Sequence, residues 1–395
     1  KLLLFIFRKN NINPLLLIGK TKLLLISKND QSDLVKVFDS ESSLLANDFI
    51  KNLLKEELFH LMVQKSILTD PFLEQLLTKL RSEIFFSLNN HNQNFLISLA
   101  EQCWLNEYVY IQSEKESKQI DKLQKKIEND KEINELEISI LSSYIPLNSS
   151  KNIINKLLNY ESSNLLFNDL INVQIKEPLK ENELMKSIQS LGEIINPVSK
   201  KVQEQYEENS YPRWRCTNKI LSENHILWFN KETKPNKIDY NKKFNNPNVL
   251  IAGCGTGSHP IAATRYKNAD ILAVDLSLNS LAYAKRKTEE FNIKNIEYLQ
   301  ADILQLKRLD RKFDIIESSG VLHHMKDPTE GLKVLLNILE PHGFLKLGLY
   351  SEIGRRNVVK ARELIKEKKY NNTSKDIKIC RQDIINQKED PLLKK

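Results

Sequence analysis

The stretch "VLIAGCGTGSHP", residues 249–260, concentrates three of the ten glycines in a chain of 395 residues. Gly253, Gly255 and Gly257 stand at alternate positions directly after an apolar run. Glycine permits a sharp turn and lets a ligand approach the backbone closely. Pro260 suits the first turn of a following helix, where its missing N–H costs nothing. The stretch therefore predicts a strand, a ligand-contacting loop and a helix, in that order.

The region after residue 248 repeats this alternation of short apolar runs and helical stretches. Strand, helix, strand and helix in series predict a parallel sheet covered on both faces, which places every loop after a strand at one edge. The predicted strands are 249–252, 271–274, 296–299, 313–317 and 343–349, and the clearest helices between them are 278–290 and 329–339.

Two aspartates follow successive predicted strands. Asp275 ends the second strand, 18 residues beyond Gly257, close to the spacing of an acid that binds ribose hydroxyls. Asp302 follows the third strand, where it could accept from an adenine amino group while the Ile303 N–H donates to the ring. A nicotinamide or flavin site would place its third small residue at 258, which is serine here, so the glycine spacing disfavours a dinucleotide.

Four motifs together resemble the class I S-adenosylmethionine-dependent methyltransferases. They are "GCGTG", "AVDLS", "QADI" and "FDIIESSGVLHHMKDP", in the family's order and spacing, within about 248–350. The resemblance implies an α/β fold with a Rossmann-like, doubly wound, mostly parallel sheet, and S-adenosylmethionine as cofactor. The cofactor-binding residues that it implies are Gly253, Cys254, Gly255, Gly257, Asp275, Leu276, Asp302, Ile303 and Ser318.

One position departs from this family. Many class I members carry an acid where this chain has Ile251, and that acid helps to hold the amino acid part of the cofactor. The contact is expected to come from elsewhere, for example from backbone at the glycine loop.

The segment "VQEQYEENSYPRWRC", 202–216, resembles the stretch before the methyltransferase domain in bacterial methyltransferases that often carry tetratricopeptide repeats. No tetratricopeptide signature is found in the chain. One interpretation is a lid, and the other is that Tyr211 and Trp214 anchor the linker on the sheet. The residues predicted on the substrate side are Tyr206, Tyr211, Arg213, Trp214 and His323.

The resemblance implies methyl transfer from the sulfonium to an unidentified N, O or C nucleophile by in-line displacement. A neutral nucleophile would need a general base, for which His324 is a candidate, and the alternative is that both loop histidines pack the loop. Paired histidines without a third ligand predict no metal site. Two other classes stay open, a non-catalytic scaffold with a methyltransferase-like fold and an NAD(P)-dependent oxidoreductase.

Composition and patterning set the rest of the organisation. We predict a mainly helical domain with linker over 1–200, a lid or entry segment over 201–247 and the methyltransferase domain over 248–395. The net charge of +8 comes from 59 basic and 51 acidic residues, which indicates a mixed charged surface without a nucleic-acid signal. No apolar run approaches the ~20 residues of a membrane span, and the helical domain is the expected site of any protein partner.

Cysteine usage and the chain ends complete the predictions. The four cysteines are far apart, which favours a reducing compartment, and we predict the cytoplasm. After the fifth predicted strand, the remaining residues look helical, so the final two strands of the family sheet are expected to be missing. Together with the start at Lys1, this predicts a fragment truncated at one or both ends.

Overall fold

The computed structural model describes residues 1–38, 42–87, 92–218, 220–236 and 246–386. The chain divides into two compact units. The first contains Lys1–Pro178, Trp214–Asn218 and Arg355–Lys395, and the second contains Leu179–Arg213 and Lys219–Gly354.

The second unit is built on a six-stranded sheet in which every strand pair is parallel. The order across the sheet is β1-β4-β3-β2-β5-β6. The strands are β1 Gln189–Ser190, β2 Asn248–Ala252, β3 Asp270–Asp275, β4 Ile296–Gln300, β5 Phe313–Ser319 and β6 Leu339–Gly348.

Helices make up most of the remaining described structure. The α-helices are α1 Leu2–Phe7, α2 Ile18–Leu25, α3 Lys28–Phe38, α4 Asp48–Leu53, α5 Glu57–Lys65, α6 Pro71–Ser87, α7 Gln93–Leu105, α8 Glu114–Asn129, α9 Glu135–Ser142, α10 Lys151–Leu157, α11 Leu165–Ile171, α12 Glu177–Met185, α13 Pro197–Glu208, α14 His225–Glu232, α15 Ser258–Ala263, α16 Leu278–Glu290, α17 Pro328–Asn337, α18 Arg356–Lys368 and α19 Ser374–Asn386. A π-helical turn, Asn172–Lys176, joins α11 to α12, and 3₁₀ turns occur at Leu15–Leu17, Leu44–Ala46, Leu147–Ser149, Ile303–Arg308, Leu322–His324 and Ile353–Arg355.

Successive side chains along each strand point to opposite faces of the sheet, and both faces are buried. Val249 and Ile251 pack on one face with residues of α14, α15 and α16, whereas Leu250 and Ala252 pack on the other with α17. A parallel strand buried on both faces reads as a continuous apolar run, which is why the sequence shows one at each central strand.

The strand order reverses direction at β2. From β2 the chain proceeds to β3 and β4 on one side, and then crosses to β5 and β6 on the other. In open parallel sheets, a crevice forms at such a switch point, outside the carboxyl ends of the strands, and ligands bind there. The fold thus predicts a binding crevice where the glycine loop leaves β2.

The predicted α/β class and the preceding helical region are confirmed. All five predicted strands are present, and the helix predicted over 278–290 matches α16 residue for residue. β1 was not predicted. After β6 the described chain continues as α18 and α19, in agreement with the helical pattern of its sequence.

The compact units divide the chain differently from the predicted domain ranges. Residues 179–213 belong to the sheet unit, because β1 pairs with β4 at the sheet edge. The segment after Gly354 belongs to the helical unit, where Arg381 of α19 makes a bidentate ion pair with the buried Glu74 of α6 at 2.6–2.9 Å. A bidentate pair of this kind is strong and directional, and it ties α19 into the helical unit.

The helical unit also holds a short returning segment, Trp214–Asn218. Its Arg215 forms ion pairs with Glu101, which is fully buried, and with Asp169 at 2.6 Å. Burial raises the pKa of Glu101 to about 8, although Arg215 opposes the rise. No helix in the described ranges has the length and apolar character needed to cross a membrane.

Candidate functional site

The glycine loop between β2 and α15 is fastened to β3. The backbone N–H groups of Gly253 and Cys254 both donate to the Val274 carbonyl at 2.9 Å. The next glycine, Gly255, has φ +52° and donates to the Asp275 carboxylate at 2.8 Å. Since these three N–H groups are engaged within the protein, the loop is not arranged as a phosphate-binding cradle, which needs such groups directed at the ligand.

Asp275 is the central carboxylate of the crevice. One oxygen accepts from the Gly255 N–H and the other accepts from the Ser277 N–H at 3.1 Å. Each carboxylate oxygen has two acceptor sites, so the carboxylate keeps acceptor capacity for a ligand beside its backbone donors. Burial raises the pKa of Asp275, and the backbone hydrogen bonds partly offset this rise. The arrangement suits a pair of neighbouring hydroxyl groups.

Asp302 lies after β4, one strand farther along the same edge. It is 3% exposed, and one oxygen accepts from the Leu304 N–H at 2.9 Å, which caps the turn Ile303–Arg308. The cap fixes the carboxylate at the carboxyl end of its strand. A buried, fixed acceptor is well suited to the amino group of a flat heterocycle.

A cavity of about 260 Å³ opens at the carboxyl edge of the sheet. It brings together residues from the glycine loop, from the loops after β3, β4 and β5, and from α13. The predicted site residues in its wall are Gly253, Cys254, Gly255, Asp275, Leu276, Asp302, Ile303, Tyr206, Tyr211 and His324. That these residues contact a cofactor or a substrate stays a prediction.

Other predicted residues lie outside this wall. A Cβ at Gly257 would approach the Ala284 Cβ to 2.6 Å, so this glycine serves the close packing of α15 on α16. Ser318 is buried, and the cavity is lined by Ser319 after it. His323 stacks on Tyr350, with ring centroids 4.0 Å apart.

The last two predicted residues belong to the segment after α13. Arg213 does not line the cavity. Trp214 belongs to the helical unit. A role for it on the substrate side stays a prediction.

Helix α13 and the residues after it cover one side of the cavity. Tyr206 and Tyr211 are in the wall, and Thr256 of the glycine loop donates its hydroxyl to the Pro212 carbonyl at 2.6 Å. Glu207 accepts from the first backbone N–H groups of α16, at 2.7 and 3.0 Å. A carboxylate at a helix N-terminus satisfies donors that have no partner within the helix. Helix α13 and its short extension are therefore docked on α16 and the glycine loop, and a role of this segment as a lid stays a prediction.

A second buried carboxylate, Glu317 on β5, lies behind this cavity. Its Cα is paired with that of Ile251 on β2, and its side chain is 1% exposed. It accepts from Tyr266 at 2.5 Å, from Arg265, and from the Nε2 of His259 at 2.7 Å. Burial alone would raise the pKa of Glu317, but these donors outweigh burial and lower it to about 2.

His259 is the functional candidate that the sequence analysis missed. It stands in the first turn of α15, lines the cavity and is held by Glu317. Its partner is 58 residues away in the chain, so no local spacing indicates the pair. In the described ranges, no group of three or more His, Cys, Asp or Glu side chains is placed to hold a metal ion.

A comparison with known protein families matches the part of the chain that carries the glycine loop. Residues 249–343 match the family model described as a methyltransferase domain. An uncharacterized protein of Synechococcus sp. is 37% identical over 121 residues, covering 30% of this chain and 29% of the relative. A ubiquinone biosynthesis O-methyltransferase of Acinetobacter baumannii is 28% identical over 108 residues, covering 27% of this chain and 44% of the relative.

A solved structure of PKMT2 from Rickettsia typhi in complex with AdoHcy is 26% identical with a TM-score of 0.31, covering 35% of this chain and 28% of that one. The chain spans less than half the length of the two curated relatives described above. The matched segment contains the glycine loop, both cavity aspartates and the histidine loop. Residues 249–343 form a methyltransferase domain of the class I S-adenosylmethionine-dependent family, and S-adenosylmethionine is its cofactor.

Proposed function

We propose that the protein transfers a methyl group from S-adenosylmethionine to an N, O or C nucleophile by in-line displacement. The observation that carries the proposal is the order of acceptors along one sheet edge. Asp302 after β4 and Asp275 at the end of β3 lead to the glycine loop after β2, and all three line one cavity. This order matches the adenine, the ribose and the sulfur-bearing end of the cofactor.

The wall of the cavity suits this cofactor chemically. When bound, S-adenosylmethionine supplies a methyl group already activated by a sulfonium, so the protein chiefly has to bind, orient and exclude water. Asp275 offers two acceptors to the ribose hydroxyls, and Asp302 offers one to the adenine amino group. Tyr206 and Tyr211 cover the side on which α13 lies and restrict the entry of water.

His324 is the wall residue that we propose as general base for a neutral nucleophile. It lies in the 3₁₀ turn after β5 and its side chain is exposed toward solvent. A nucleophile that is already an anion or a free amine needs no such base. Dependence of turnover on His324 would therefore also narrow the class of acceptor.

The oxidoreductase alternative has less support. Among the described residues of the cavity wall none is lysine or arginine, whereas two are aspartates. A dinucleotide diphosphate favours donors and positive charge, and the loop N–H groups at 253, 254 and 255 are already engaged. The scaffold alternative differs from our proposal only in turnover, so an assay of methyl transfer separates the two.

The test is transfer of a labelled methyl group from S-adenosylmethionine into fractionated cell extract. We expect label in one fraction with the wild-type chain, and little with Asp275→Ala, because the ribose loses its acceptor. Asp270→Ala is the matched control, since Asp270 is exposed at the opposite end of the same strand. Binding of S-adenosylhomocysteine without labelling of any fraction would favour the scaffold, and thermal protection by NAD alone would favour the oxidoreductase.

A further inference from the structure

The pair His259 and Glu317 occupies the part of the crevice where β2 and β5 end. His259 is in the cavity wall, and Glu317 lies behind it, buried on β5. Arg265 and Tyr266 hold the other side of the same carboxylate. These four side chains thus meet at a place that contains neither Asp275 nor Asp302, the predicted acceptors for the nucleoside.

The strand order determines what part of the cofactor reaches this place. Resting on the function proposed above, the adenine lies at Asp302 beyond β4 and the ribose at Asp275 beyond β3. The next strands along the sheet are β2 and then β5. The amino acid tail, which extends from the ribose through the sulfur, must therefore lie across the ends of β2 and β5, beside His259.

The tail carries an ammonium group that needs an acceptor. Among the described residues of the cavity wall, the only carboxylates are Asp275 and Asp302, and both are at the nucleoside end. Glu317 accepts three side-chain donors and is shielded from the cavity by His259. The acceptor for the ammonium therefore comes from backbone carbonyls of the glycine loop or from another side chain of the wall, and His259 is the side chain beside the predicted place of the tail.

His259 meets this requirement because of Glu317. An ionised carboxylate only accepts, so the Nε2 of His259 carries the hydrogen in the 2.7 Å contact. In the neutral ring, Nδ1 is then the acceptor, since the partner of one ring nitrogen sets the role of the other. Arg265 balances the charge of Glu317, so with a neutral His259 the cluster has no net charge, and Nδ1 is the ring nitrogen left to accept from a cation in the cavity.

We propose that His259 binds the ammonium group of the cofactor's amino acid tail, and that Glu317 is a positioning residue that sets the tautomer and orientation of His259. The pair replaces a carboxylate at Ile251, the residue paired with Glu317 across the two strands. The role of His259 is binding, and it is separate from the general base proposed at His324.

Three nucleoside ligands test this assignment on the full chain by isothermal titration calorimetry. S-adenosylhomocysteine has the whole tail, its decarboxylated analogue keeps the amine but loses the carboxylate, and 5′-methylthioadenosine lacks both groups. His259→Leu is expected to weaken binding of the first two by roughly tenfold to hundredfold, the range for a lost hydrogen bond to a charged group. Binding of 5′-methylthioadenosine is expected to change by less than about threefold, within the reach of small packing changes.

His259→Gln is the matched variant, because its amide can donate to Glu317 and present an oxygen to the ligand. It is expected to recover most of the lost affinity for the two amine-bearing ligands. Glu317→Gln removes the fixed acceptor, and is expected to lower the affinity ratio of S-adenosylhomocysteine to 5′-methylthioadenosine. If the role of Glu317 were only structural, the substitution would lower the affinity for both ligands equally and leave their ratio unchanged.

Each outcome has a separate meaning. An unchanged ratio in His259→Leu would overturn the proposal, and loss of affinity for S-adenosylhomocysteine alone would assign His259 to the carboxylate and overturn the ammonium contact. If Glu317→Gln does not fold, the two His259 variants still test whether His259 binds the ammonium group. Failure of the wild-type chain to bind any of the three ligands would instead refute the proposed function on which the inference rests.

Discussion

The substitution Glu317→Gln tests the electrostatics of the buried cluster behind the cavity. The donors His259, Arg265 and Tyr266 lower the pKa of Glu317 from its ordinary value of 4.5 to about 2. A shift of one pKa unit corresponds to about 1.4 kcal/mol, so the ionised carboxylate contributes about 3 kcal/mol to the free energy of unfolding at pH 7. Because the folded pKa is the lower one, this contribution is complete above pH 4.5 and is lost as the pH falls toward 2.

We therefore expect Glu317→Gln to lower the free energy of unfolding by about 3 kcal/mol at pH 7, and by less than half of that, about 1.4 kcal/mol, at pH 3. Urea unfolding followed by the fluorescence of Trp228 measures the change locally, since the Arg265 guanidinium lies 4.3 Å from this indole ring. The other two tryptophans, Trp104 and Trp214, are replaced by Phe in the background chain so that the signal reports the sheet unit.

Glu297→Gln is the control, because Glu297 is an exposed glutamate on β4, another strand of the same sheet. It should change the free energy of unfolding by less than about 0.5 kcal/mol at either pH. Glu317→Gln could lower the free energy of unfolding equally at pH 3 and pH 7, or by no more than the control does. Either result would show that the donors do not hold the carboxylate ionised.

Three further changes probe the loop and the cavity wall. Gly257→Ala should lower the free energy of unfolding by at least about 2 kcal/mol, seen as a lower Tm, because φ is +93° and the new methyl group would meet Ala284. An unchanged Tm would contradict this packing. Thr256→Val should speed hydrogen exchange in the segment around Pro212, because the hydroxyl that donates to its carbonyl is lost, and equal rates would show that this contact does not hold the segment. His324→Ala should lower kcat by about 10²–10⁴ if the nucleophile is neutral, with the affinity for S-adenosylhomocysteine unchanged, and loss of that affinity would place His324 in cofactor binding.

The sheet was predictable because its signal is local. Each central strand contains a short apolar run. Asp275 ends its strand and Asp302 follows its strand closely, so sequence order alone places them on one edge. β1 gave no such signal, since Gln189 and Ser190 are polar and exposed and their strand is two residues long. Its pairing with β4 depends on the tertiary fold.

The remaining features depend on contacts between distant residues. The sequence shows His259 and Glu317 only as isolated residues, because their hydrogen bond spans 58 residues and forms only in the folded sheet unit. The membership of the C-terminal helices in the helical unit rests similarly on Arg381 and Glu74, 307 residues apart. Neither periodicity nor composition carries information on such pairs.

The central claim is that the crevice binds the cofactor's nucleoside through Asp275. Isothermal titration calorimetry of S-adenosylhomocysteine with the wild-type chain, Asp275→Ala and Asp270→Ala measures this directly. We expect one site in the wild type, equal affinity in Asp270→Ala, and affinity lower by about a hundredfold or more in Asp275→Ala, because two hydrogen bonds to a charged acceptor are lost. Equal affinity in Asp275→Ala, or heat of binding from NAD and none from S-adenosylhomocysteine, would contradict the account.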